Sequence, residues 1–162
     1  MPSVPELYQR LASRPGGKAA FSALFCLKAP YFATIAPVFR ELRPNYAELF
    51  IRKHRGVSNH IGTMHVIAIV NGLEAAMGAL AEVSVPADRR WIPVGMEVTY
   101  PALATSGVRC VAETDAADWL GGRQDLPVRV RALRDDDVVV VEGVIRLRVT
   151  RRKGHGRALR EA

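Results

Sequence analysis

Cysteine is almost absent: Cys26, in an apolar run, and Cys110, in a predicted strand, are the only two among 162 residues. Neither has a neighbour at metal-ligand or redox spacing, so the expectation is two buried thiols rather than a disulfide framework. With 13 glycines and 10 prolines among abundant apolar residues, the chain has neither a collagen-like nor a disordered composition. The opening residues, Met1-Pro2-Ser3-Val4-Pro5-Glu6, do not form a basic segment followed by an apolar one. No secretory signal is therefore read there, and a cytoplasmic location is the default expectation. The longest apolar run, Ile61 to Ala81, is interrupted by His65, Asn71 and Glu74. Such groups are costly in lipid, so the run is predicted to be a core helix and not a membrane span.

What is present suits one globular domain: 49% of residues are hydrophobic and 24% charged. The net charge of +7 is concentrated toward the C-terminus, in Arg151, Arg152, Lys153, Arg157 and Arg160. A basic tail can meet nucleic acid, an anionic membrane or a phosphorylated ligand, or stay solvated. No aromatic RNA-binding motif, zinc-finger spacing or recognition helix accompanies it, so no nucleic-acid partner is expected. His54, His60 and His65 lie close in sequence. No carboxylate or cysteine completes a ligand spacing, and no metal is expected.

Along the chain, Leu7 to Ala12 and Lys18 to Ala29 are helix-compatible on either side of Pro15-Gly16-Gly17. Thr34 to Leu42 and Tyr46 to Arg52 read as a strand pair about the turn Arg43-Pro44-Asn45. A polar loop from Lys53 leads to a long helix predicted at about residues 63–83, with Thr63 as its N-cap. Gly72, Ala75, Ala76, Gly78 and Ala79 would let neighbouring backbone approach that helix closely. Strands follow at Trp91 to Tyr100, Gly107 to Glu113, Val128 to Leu133 and Val138 to Thr150, with a loop from Trp119 to Asp125 and a turn at Asp135-Asp136-Asp137. In the last strand the alternation breaks near Ile145, which suggests a bulge. The predicted architecture is α+β: a helical lead-in over residues 1–30, an antiparallel sheet curled over one long helix at 31–150, and a basic tail at 151–162.

The informative segment runs from Asn59 to Ala76, where one carboxylate, Glu74, sits in apolar sequence. A buried carboxylate needs a partner or a function, because removing its charge from water is costly. Within one ideal helix His65 and Glu74 would be rotated by about 180° and separated by ~13 Å, too far for one site in one chain. A two-fold dimer removes the difficulty, since the helix start of one subunit can face the carboxylate of the other.

Asn59, His65 six residues later and Glu74 nine residues after that, together with Gly62, resemble the hotdog-fold superfamily and within it the PaaI-like acyl-CoA thioesterases and a related branch of uncharacterised bacterial proteins. Val94 to Ala102, ending in Pro101-Ala102 and followed by Gly107, is similar to a strand of the same families. The resemblance spans roughly residues 37–148. It implies a hotdog fold, a homodimer with further pairing to a tetramer left open, and hydrolysis of an acyl-CoA thioester without metal or redox cofactor. Coenzyme A would be part of the substrate. Glu74 would be catalytic, activating water or attacking, while Asn59, Gly62, His65, Val66 and Asn71 would contact substrate. Asn71, one turn from Glu74, is expected to be its hydrogen-bond neighbour. One departure stands out: the family's His-Gly-Gly becomes His65-Val66-Ile67, which puts side chains where substrate approaches. The alternative reading is therefore a non-catalytic acyl or lipid binder, or an assembly module, on the same fold.

Overall fold

The computed structural model describes residues 3–120 and 125–152. Gly121 to Gln124 of the predicted loop, and residues 153–162 of the basic tail, lie outside them.

Two helices open the chain, α1 (Val4–Ala12) and α2 (Gly17–Lys28), followed by a 3-10 turn at Pro30–Ile35. The predicted first strand is therefore shorter than expected. Thr34 and Ile35 belong to that turn, where the Thr34 hydroxyl donates to Tyr31 O at 2.7 Å. β1 (Val38–Arg43) and β2 (Tyr46–Ile51) form the hairpin, with Asn45 at φ 65° in its turn. The long helix α3 covers Val66–Ser84, and β3 (Arg89–Thr99), β4 (Val108–Glu113), a short α4 (Ala116–Leu120), β5 (Asp125–Arg134) and β6 (Val139–Arg151) complete the domain. Trp119, predicted in a loop, sits in α4, where its buried indole N–H donates to the Thr114 hydroxyl at 3.0 Å.

The strands form one antiparallel sheet in the order β1-β2-β4-β5-β6-β3. It curls around α3, which packs on β1, β2, β4, β5 and β6; this is the hotdog arrangement. By length and composition α3 could cross a membrane, with mean hydropathy 1.6, but here the sheet wraps it. Close approach depends on Gly72: a Cβ there would lie 2.4 Å from Ile51 Cδ1 and 2.9 Å from Cys110 Sγ. Period-2 burial along β2 and β5 turns Ala47, Leu49, Ile51, Val128, Val130 and Ala132 onto the helix. In β6, Ile145, Leu147 and Val149 keep the same inward phase. The irregularity expected near Ile145 falls instead at Val140, where the β5–β6 register shifts and two successive valines are buried.

The lead-in is tied to the hairpin by aromatic packing. Phe21 meets Tyr8 and Phe39 edge-on, at 5.0 and 5.2 Å, and Phe25 meets Phe39 at 4.9 Å. Of the two thiols, Cys110 is buried as expected, but Cys26 is only partly so. Burial raises the pKa of both and keeps them protonated.

Candidate functional site

The start of α3 is held by its own loop. Asn59 Oδ1 accepts from the amides of Ile61 and Thr63 at 3.2 and 3.1 Å, and Asn59 Nδ2 donates to the Thr63 hydroxyl at 2.8 Å. Gly62, at φ 80°, supplies the left-handed residue this turn needs. Two backbone bonds then pin the approach to the helix, Met64 N to Ala104 O at 2.9 Å and His65 N to Val57 O at 2.8 Å. The hydrogen bonds of Asn59 are thus made within the loop.

The N-cap is His65, not Thr63. The hydroxyl of Thr63 is already engaged with Asn59, and its position precedes the helix by three residues. His65 Nδ1 accepts from the Ile67 amide at 3.2 Å, and His65 O accepts from the amides of Ala68 and Ile69. In the neutral ring the proton is therefore on Nε2. Of the first-turn amides, Val66 N–H alone takes no partner among the described residues, at the positive end of the helix dipole. Asn59, His65 and Val66 line a cavity of about 280 Å³ with Met64, Tyr100 and Leu103. Of the two side chains that replace the family's glycines, only Val66 lines it; Ile67 is 54% exposed and stands outside.

Glu74 lies elsewhere, on the half-open side of α3. It is partly buried and makes no hydrogen bond or ion pair among the described residues. It borders a second cavity, of about 330 Å³, between α3, the lead-in and the start of β3. The two cavities share no lining residue. Within one chain, Glu74 and the start of α3 are thus separated, as the helical geometry requires.

Asn71 is 7% exposed and does not bond Glu74; its Nδ2 donates to Thr34 Oγ1 at 3.3 Å. The Thr34 proton is committed to Tyr31 O, so the hydroxyl oxygen must accept and Asn71 must present its amide. Asn71 Oδ1 is left buried without a donor among the described residues, one helical turn from Glu74. The lining residues Phe25, Phe32, Trp91 and Pro93 were not predicted from the sequence. They come from segments far apart in the chain, and no local pattern marks them.

A larger concavity, about 660 Å³, lies on the outer face of the sheet around Glu97, Glu113, Arg129, Arg131 and Glu142. None of the candidate residues lines it. Its arginines are engaged, Arg129 with Asp115 at 3.0 Å and Arg131 with Glu113 at 3.5 Å. Among the described residues, no group of three or more His, Cys, Asp or Glu side chains converges as a metal site.

The sheet-over-helix architecture recurs in solved structures. A structural-genomics protein, APC5556, is 43% identical over 92% of this chain and 98% of its own, with a TM-score of 0.81. A Pseudomonas aeruginosa protein of unknown function, named as a probable thioesterase, is 22% identical over 86% of this chain and 97% of its own, at a TM-score of 0.72. A thioesterase family protein from Silicibacter pomeroyi is 18% identical over 81% of this chain and 96% of its own, at 0.66. At these last two identities the likeness is one of fold. No curated protein matches the sequence. Residues 17–149 match the family described as Domain of unknown function (DUF4442), and the chain belongs to that family.

Proposed function

We propose that the protein hydrolyses an acyl-CoA thioester at a site completed by a second copy of the chain. The observation that carries this reading is the free edge of β3. β3 is an edge strand of 11 residues, and Ile92, Val94, Tyr100 and Leu103, along it and just beyond, are all exposed. A long apolar edge is a template for pairing.

Trp91 and Pro93, at the start of β3, border the Glu74 cavity, while Tyr100, just past its end, borders the cavity at the start of α3. Antiparallel pairing of β3 with its two-fold copy sets the start of one strand beside the end of the other. Each Glu74 cavity then faces the partner's helix start. In this arrangement Glu74 takes a proton from water, whose oxygen attacks the carbonyl carbon; in the alternative its carboxylate attacks directly, and water then cleaves the resulting mixed anhydride, releasing the acid and restoring Glu74. The oxyanion is stabilised by the partner's Val66 N–H and helix dipole, the C–S bond breaks, and the coenzyme A thiolate leaves and is protonated. Asn71 Oδ1 offers a buried acceptor to a water or to a donor from the other subunit.

The Val66 side chain in the carbonyl cavity favours a second reading, a non-catalytic acyl binder with the same dimer. Free-thiol release from a panel of acyl-CoAs by the wild type and Glu74→Gln separates the two. Hydrolysis by the wild type and a loss of about 10²-fold or more in the variant, with folding and dimer intact, is the expected result. Binding without turnover in both proteins would establish the second reading.

A further inference from the structure

The two glycines within α3 are there for different reasons. Gly72 is demanded by the chain's own packing, since a Cβ would press on Ile51 and Cys110. Gly78 is not. A Cβ there would meet only Trp91 Cη2, at 3.5 Å, an ordinary contact, and its φ is not in the left-handed region. Glycine inside a helix nevertheless costs about 1 kcal/mol relative to alanine. What Gly78 makes room for is therefore outside the chain's own core.

The space beside it is the cavity that contains Glu74. Its walls are Phe25, Phe32, Met77, Trp91 and Pro93, and it continues along α3 to Glu82. Phe25 comes from the lead-in and Phe32 from the 3-10 turn after it; the two rings stack at 5.6 Å, and Phe25 is braced behind by Phe21 and Phe39. This wall is supplied by the same chain as Glu74. With about 330 Å³ available and ~30 Å³ for each water-sized group, the cavity takes roughly ten methyl or methylene groups.

Resting on the thioesterase reading, we propose that this is the acyl pocket, that the lead-in helices form its wall in cis, and that Gly78 opposite Trp91 sets the length of apolar acyl group accepted, about eight to ten carbons. Gly78 and Trp91 are then the specificity-determining pair. Filling Gly78 shortens the pocket, and removing the Trp91 indole lengthens it.

The test is kcat/KM over straight-chain acyl-CoAs from acetyl to palmitoyl for the wild type, Gly78→Ala, Gly78→Leu and Trp91→Ala, with thermal stability and oligomeric state checked. The expected wild-type optimum is at about eight to ten carbons. Gly78→Leu should lower kcat/KM on decanoyl-CoA about tenfold or more relative to that on acetyl-CoA, while Trp91→Ala moves the optimum to longer chains. Gly78→Ala, which gains helix propensity, covers the case in which the leucine variant fails to fold; it should shift the optimum in the same direction by less. An unchanged profile in every folded variant overturns the proposal. If the wild type hydrolyses nothing, the catalytic reading fails separately, and calorimetric binding of decanoyl-CoA decides this one. Binding weakened about tenfold by filling Gly78 supports it. Absent or unaltered binding overturns it.

Discussion

The two edges of the sheet are finished in opposite ways. β1 is six residues long, carries Arg40, Glu41 and Arg43, and is covered by the lead-in. Phe39 N donates to Ser22 Oγ at 2.9 Å, and Arg40 O accepts from both the Tyr8 hydroxyl and Lys18 Nζ. β3 is nearly twice as long, has apolar side chains in solvent, and packs against no helix of its own chain beyond a few contacts. A covered, charged edge resists further pairing, and a bare apolar one invites it. The contrast leaves β3 as the edge open to further pairing, and it places the lead-in at the far edge, where it shields one strand and still reaches α3.

Placing charge on the bare edge should have the largest effect. If β3 pairs with its copy and the site is shared as proposed, Ile92→Lys with Val94→Lys is expected to leave a monomer that no longer hydrolyses thioesters. Sedimentation equilibrium and thiol release would read the two losses together, and a fully active monomer would refute the shared site. At the covered edge, Ser22→Ala leaves the buried Phe39 N–H without an acceptor and should destabilise the fold by about 1–3 kcal/mol in urea unfolding, with the oligomeric state unchanged.

A smaller effect is expected beside β1 at high pH. Burial, and secondarily its hydrogen bond to Glu48 at 3.0 Å, push the Tyr46 hydroxyl from 10.0 up to about 12. Its folded-state pKa is raised, so the stability it contributes is complete below about pH 10 and is lost as pH rises through about 12. Tyr46→Phe should flatten the pH dependence of stability in that window and leave dimerisation alone. The mildest test is thiol labelling: Cys26, partly exposed on α2, should react well before the buried Cys110.

Much of the fold was legible because its signals are local. Period-2 burial marks β2 and β5, the turn at Pro44-Asn45 marks the hairpin, and the long apolar run with small residues marks α3. The spacing of His65 and Glu74 already separated them within one chain, since nine residues of helix turn a side chain to the opposite face, and the two do line different cavities. What was misread depended on neighbours not adjacent in sequence. Thr63 has the composition of a cap, yet Asn59 takes its hydroxyl and His65 caps instead. Asn71 has the spacing to bond Glu74, yet Thr34, 37 residues earlier in the chain, receives its amide.

The sequence alone determined most of the sheet-and-helix inventory and the isolation of one carboxylate in apolar surroundings. Each follows from periodicity and composition within a few turns of chain. Only the tertiary structure decided that β3 is the open edge, that Phe25, Phe32 and Trp91 enclose the space around Glu74, and that Gly72 and Gly78 serve different needs. Those outcomes depend on which distant surfaces meet once the sheet has curled around α3, and chain periodicity carries no record of that.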